Sequence, residues 1–227
     1  MKEERQGSDH LKRNLERLSP ENSIFNYKSG KKAFLSLGQG NIYEWLESLL
    51  PNTRIILEPQ IIGSSIGIQY IDGKLNKAIN GKSHDITERI RTLKNIPINL
   101  PIKKRIEIQG VLYDDKNSSK NNEMKFKPTQ SSKLNFKRHR FCAYHIYHCK
   151  INHFQSLQEL KHLNFETPQT QFTKFISDIE IYLRCWKDGK LFINYPTDGI
   201  VLKINSRKFQ KYLGENNLSI HWAYAIN

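Results

Sequence analysis

Residues 56–65, "ILEPQIIGSS", carry an apolar run through Ile56 and Leu57 into Glu58-Pro59 and on to Gly63. β-Branched residues favour an extended strand, Pro59 removes a ladder donor, and Gly63 frees the backbone to bend. A chain with this pattern presents a side chain at the edge of a sheet, which is a good place for a reactive group. The side chain there is Gln60, and its amide nitrogen has no lone pair available for nucleophilic attack.

Working upstream, "AFLSLGQGNIYEWLESLLP" (33–51) reads as a strand-like entry, a glycine turn and a short helix carrying Ile42, Trp45, Leu49 and Leu50 that stops at Pro51. Downstream, "SIGIQYIDGKLNKAI" (65–79) is a hairpin turned by Asp72-Gly73. "HDITERIRTLKNIP" (84–97) places Asp85 three residues before Glu88, a capping-box spacing, with Ile86, Ile90 and Leu93 at helical intervals and Pro97 as the stop. "KRIEIQGVLYDD" (104–115) and "RFCAYHIYHC" (140–149) read as strands. Two more helices are expected, "SLQELKHLNF" from Ser156 with Glu159 completing a capping box, and "SDIEIYLRCWKDG" from Ser177 to Gly189. The chain closes with a strand "DGIVLKIN" (198–205), a short helix around Phe209, Tyr212 and Leu213, and a last strand "IHWAYAIN" (220–227). Hairpins interrupted by single helices give an α+β class with largely antiparallel sheets.

Two segments stand apart. Residues 1–32 form a charged N-terminal segment, partly flexible, with a short helix at Leu11, Leu15 and Leu18 that we expect to dock loosely or not at all. Residues 114–135, rich in Asn, Ser and Lys without periodicity, read as an exposed loop that is mobile until bound. The remaining 33–227 is read as one domain.

The 227 residues carry 36 Lys and Arg against 22 Asp and Glu, a formal charge of +14 spread along the chain. That balance favours a polyanionic partner, nucleic acid first, with DNA ahead of RNA, or an acidic protein surface in a larger assembly. The densest basic stretch is Lys125, Lys127, Lys133, Lys137, Arg138 and Arg140, interleaved with Phe126, Phe136 and Phe141, a pattern suited to tracking a nucleic-acid strand and equally ordinary for a solvated loop. Three cysteines without a repeating spacing give no disulfide framework, and no apolar run is long enough to span a bilayer, so a cytoplasmic setting is expected, or an organellar or nuclear one in a eukaryote. His139, Cys142, His145, His148 and Cys149 invite a zinc reading, but strand alternation separates them onto two faces, and no metal is expected.

Taken in order, "FLSLGQG", "EPQIIG", "DITERIRTLKNIP", "IEIQGVLY", "FCAYHI", "TDGIVLKIN", "KYLG" and "HWAYAI" resemble the adenylation domain of NAD-dependent DNA ligases. The resemblance implies a nucleotidyltransferase fold, two antiparallel sheets flanked by helices with an adenine-nucleotide cleft between them. In that family a lysine attacks the adenylate phosphorus; here its position is Gln60, and the aspartate two residues on is Ile62. The resemblance further places Gln109 and Val111 where an arginine and a glutamate would clamp phosphate and support metal, and Asn227 where a lysine would meet the phosphates. Matching residues remain at Glu58 and Tyr144, which would contact or stack on adenine, at Asp198, and at Lys203, which would approach phosphate. The expectation is therefore a scaffold without its chemistry: a degenerate relative with no cofactor, the residual alternatives being a remnant pocket that takes NAD or AMP weakly and adenylyltransfer through another lysine, for which the resemblance supplies only Lys203. Within 227 residues we also expect no separate module for the nicotinamide end of NAD, and no nick sealing by this chain alone.

Overall fold

The computed structural model describes residues 11–15, 23–26, 36–38, 41–115, 139–215 and 219–227. Two sheets carry the chain. The five-stranded sheet has the order β1 (Ser36–Gly38), β9 (Ser219–Ile226), β8 (Thr197–Ile204), β2 (Ile55–Ile61), β7 (Gln171–Thr173). The four-stranded sheet has the order β4 (Lys74–Asn80), β3 (Ser64–Ile71), β5 (Ile106–Asp114), β6 (His139–Ile146). All pairings are antiparallel except β1 with β9, which is parallel. Among the described residues the helices that accompany them include α1 (Ile42–Glu47), α2 (Thr87–Arg91), α3 (His153–His162), α4 (Ile176–Lys187) and α5 (Arg207–Leu213).

The chain passes from one sheet to the other between β2 and β3, within the stretch that opened the sequence reading. Pro59 cannot donate to the ladder, and the register between β2 and β8 shifts between Pro59 and Ile61. Gly63 then comes so close to β5 that a Cβ there would lie 2.4 Å from the Leu112 carbonyl oxygen. A side chain at Gly63 would collide with β5 and displace the start of β3 from it.

Alternation along the strands fills two cores. Ile66, Ile68, Tyr70, Ile106, Ile108 and Phe141 bury one face of the smaller sheet beneath Leu157 and Leu160 of α3. Leu46 of α1 and Ile179 of α4 pack on Ile55, Leu57, Ile200 and Leu202 of the larger sheet. Between the sheets lies a third, smaller cluster of Val111, Tyr113 and Cys142, with Ile61, Tyr144 and Tyr195 against it.

Four local expectations are corrected. Leu11 and Leu15 are buried in the main core, Leu15 bridges to Cys149, and Lys104 Nζ donates to the Lys12 carbonyl, so this part of the N-terminal segment is docked. At α2, Asp85 Oδ1 accepts from both the backbone N–H and the hydroxyl of Thr87, while Glu88 pairs with Arg91 across the exposed face, so no capping box forms. α3 begins at His153, and Ser156 lies one turn inside it, donating to the His153 carbonyl. α4 begins at Ile176 with Ser177 already helical; Thr173 of β7 ties its start by accepting from Phe175 N–H and donating to Asp178.

Candidate functional site

Glu58 of β2 is fully buried and both of its carboxylate oxygens are engaged. Lys203 of β8 donates to Oε2 at 2.6 Å, and His153 at the first turn of α3 meets Oε1 through Nε2. Antiparallel pairing sets Lys203 opposite Ile56, two residues along β2 from Glu58, so the two side chains share a face. His153 is fixed from behind, since its backbone N–H donates to the Asn205 carbonyl at the end of β8. Tyr144 of β6 lies under the ammonium, its ring centre 4.7 Å from Nζ. Burial alone would raise the Glu58 carboxyl, but Lys203 and His153 together hold it down to about 2. Burial pushes His153 below its ordinary value against the opposing pull of Glu58, so its ring is neutral at pH 7 and donates through Nε2.

The family resemblance points Glu58, Tyr144 and Lys203 at a nucleotide, and the structure brings the three together. They are joined by His153, which the sequence reading missed because it started α3 one turn late. Asp198 lies at the exposed start of β8, beyond the register shift, and takes no part in the hydrogen bonds that join the group.

The replaced chemical positions also converge. Gly199 has φ +144, and a Cβ there would lie 2.3 Å from the Ile226 carbonyl oxygen, 2.7 Å from Gln60 Oε1 and 3.1 Å from Asn227 Cβ. The end of β2, the start of β8 and the end of β9 therefore meet at a glycine that only a missing side chain permits. Ile62 donates its backbone N–H to the Pro196 carbonyl at 2.7 Å. Val111 is buried in the cluster between the sheets, and Gln109 Oε1 accepts from the Tyr147 hydroxyl at 2.6 Å. The wall that the resemblance would line with an arginine and a carboxylate is thus amide and hydrocarbon.

Cys142 and Cys149 are buried in two different clusters, and His145, pushed well below its ordinary value chiefly by burial, stacks on Trp222 with ring centres 5.6 Å apart. Among the described residues no group of three or more His, Cys, Asp and Glu side chains is placed to hold a metal ion. Of the six basic residues singled out earlier, Lys125, Lys127, Lys133, Lys137 and Arg138 lie outside the described residues. The sixth, Arg140, is held at 2.8 Å by Glu166 and faces Asp115 at 3.8 Å.

Two sheets with helices outside, joined where a Glu-Pro-x-x-x-Gly segment crosses between them, define a nucleotidyltransferase fold. The sequence model of one family, the NAD-dependent DNA ligase adenylation domain, matches residues 38–137 and 122–227, and the chain belongs to that family. It is 28% identical over 240 residues to a DNA ligase of Mesoplasma florum, covering 88% of this chain and 36% of that protein. To a DNA ligase of Mycoplasma mycoides it is 30% identical over 233 residues, covering 86% and 35%. The chain therefore spans about a third of the length of these curated relatives. A solved structure of a putative ATP-dependent DNA ligase from Aquifex aeolicus superimposes with a TM-score of 0.50 at 12% identity, over 92% of this chain and 60% of that one, which supports the shared fold. No helix among the described residues is long and apolar enough to cross a membrane.

Proposed function

We propose that this chain is a non-catalytic member of its family that holds neither NAD nor AMP and binds nucleic acid, DNA ahead of RNA, through its basic surface. The observation that carries the first part is Gln60. Forming a phosphoramidate requires a free amine lone pair, and an amide nitrogen delocalises its pair into the carbonyl. A single exchange could be compensated by a neighbour, but Ile62, Gln109, Val111 and Asn227 are hydrocarbon or amide, so none of these four positions offers a carboxylate or a cation to a phosphate. The residues also do not fit the adenylate: Glu58, the group directed at adenine, is saturated by Lys203 and His153, and Lys203, directed at phosphate, is committed to Glu58.

Nucleic acid as partner is supported by the +14 charge and by relatives that are DNA ligases. A second reading, a rigid protein-interaction subunit in a larger assembly, is favoured by exposed apolar side chains at Phe175, Ile193 and Tyr212, which are 65%, 60% and 81% accessible.

The catalytic half is tested by incubating the chain with adenylate-labelled NAD, and separately with labelled ATP, each with Mg²⁺, then denaturing it. We expect no label on the wild type, and at most traces on Gln60→Lys, because the lysine alone restores neither the arginine nor the carboxylate. Stoichiometric label on the denatured wild-type protein would overturn the proposal.

A further inference from the structure

Docking of the N-terminal segment sets basic residues from four separate stretches of the chain side by side. Lys104 Nζ donates to the Lys12 carbonyl at 2.6 Å, and Lys150 donates its backbone N–H to the Asn14 carbonyl at 2.9 Å. Residues 11–15 therefore run between the loop before β5 and the turn after β6. Arg207, the first residue of α5, continues the band: its Nε donates to the Cys149 carbonyl at 3.0 Å and ties α5 to the same turn. Stretches 11–15, 103–104, 148–150 and 206–214 together hold eight Lys and Arg and no Asp or Glu, in a chain that has 22 acids to 36 bases. The carbonyl and amide oxygens that hold Lys104 and Arg207 orient a cation without cancelling its charge.

A second feature narrows the partner. Lys208 and Lys211 are exposed one turn apart on α5, and Tyr212, four residues after Lys208, is 81% accessible. The Tyr212 ring stacks on Phe209 with centres 6.0 Å apart and planes 24° from parallel, so Phe209 backs one face and the other is open to solvent. A basic band alone suits any polyanion. An open aromatic face beside two lysines adds something that only an unpaired base can use, because in a duplex each base is covered above and below by its neighbours.

We infer that this band is a track for an unpaired nucleic-acid strand, with phosphates along Lys104, Lys12, Lys150 and Lys208 and a base stacked on Tyr212. The inference rests on the nucleic-acid reading above and deepens it by locating the surface and specifying a single strand. Neither Gln60 nor the Glu58 group takes part in it.

The test is fluorescence anisotropy of the full chain, over a salt series, with labelled oligothymidylate of about 15 nucleotides and with a duplex of equal length. We expect the wild type to bind the single strand about fivefold more tightly than the duplex. Tyr212→Ala should weaken single-strand binding about tenfold and leave duplex binding and circular dichroism unchanged, while Tyr212→Phe keeps wild-type affinity. Lys208→Ala combined with Lys211→Ala should flatten the single-strand slope of log K against log salt by about 1.4, since each phosphate contact contributes about 0.7. The control removes the same charge at Lys187 and Lys190, at the end of α4 that Trp186 ties to Thr197 at the start of β8, whereas α5 follows the end of β8. That pair should leave the slope unchanged. Absence of salt-dependent binding to either form would overturn the nucleic-acid reading and this inference with it. Preference for the duplex, unchanged single-strand affinity in Tyr212→Ala, or equal flattening by the two lysine pairs would overturn this inference alone.

Discussion

Glu58 is only 2% exposed, and removing its charge leaves Lys203, itself 5% exposed, as an ammonium without a counterion. Breaking a buried pair from one side costs about 3–5 kcal/mol, so Glu58→Gln should lower unfolding stability by that amount in urea denaturation at pH 7. The same group sets an acid dependence. Glu58 is held at about 2 in the fold against an ordinary 4.5, and His153 is held below its ordinary 6.5. In both cases the unfolded chain binds more protons than the folded one, so stability present at neutral pH is lost as pH falls. The loss begins below pH 6.5 through His153 and continues between 4.5 and about 2 through Glu58. Denaturant midpoints from pH 7 to pH 3 should fall steadily in the wild type, and the Glu58→Gln protein should show a flatter dependence below pH 4.5. An equally steep acid limb in the variant would remove Glu58 from this account.

The start of α3 shows what a local pattern can decide for an element. Ser156 and Glu159 match a capping box, but so do Asn152 and Gln155 one turn earlier, and the structure uses the earlier pair: Gln155 Oε1 accepts from the Asn152 backbone N–H. The choice is made by a distant residue. Asn205 accepts the His153 N–H on its carbonyl and the Phe154 N–H on its side chain, and Asn152 Oδ1 accepts from Arg207 N–H at the start of α5. No window of sequence around α3 contains that information, and the same blindness hid His153 as the third member of the Glu58 group. The strands were more legible. Apolar β-branched runs and the turn residues Asp72-Gly73 place β2 through β5, whereas the convergence of Gln60 and Asn227 on Gly199 comes from the fold and is in no single stretch of sequence. Asn152→Ala should therefore cost about 1 kcal/mol of stability, whereas Ser156→Ala, whose hydroxyl merely bonds back to the preceding turn, should stay within about 0.5 kcal/mol. The reverse ranking in denaturant melts would return the helix start to Ser156.

At the scale of the whole molecule the question is what a charge of +14 meets. Lys203 is neutralised by Glu58, Arg105 by Glu107, and Arg140 by Glu166, so these three are poorly placed to contact phosphate. The net charge of +14 remains, and its effect is readable in salt. Neutralising about five phosphates of a duplex gives a slope of about −4.5 in log K against log salt, which weakens binding several-hundred-fold between 50 and 200 mM. Fluorescence anisotropy of the chain with nicked duplex, intact duplex and structured RNA should show a slope of that order, with one DNA form preferred. Arg140→Ala separates surface from structure: it should cost stability by releasing Glu166 and leave the salt slope unchanged, because its guanidinium already has a partner. Weak, equal binding to all three ligands that vanishes at physiological salt would assign the excess charge to an acidic protein partner. In that case the exposed Phe175, Ile193 and Tyr212 become the first residues to mutate.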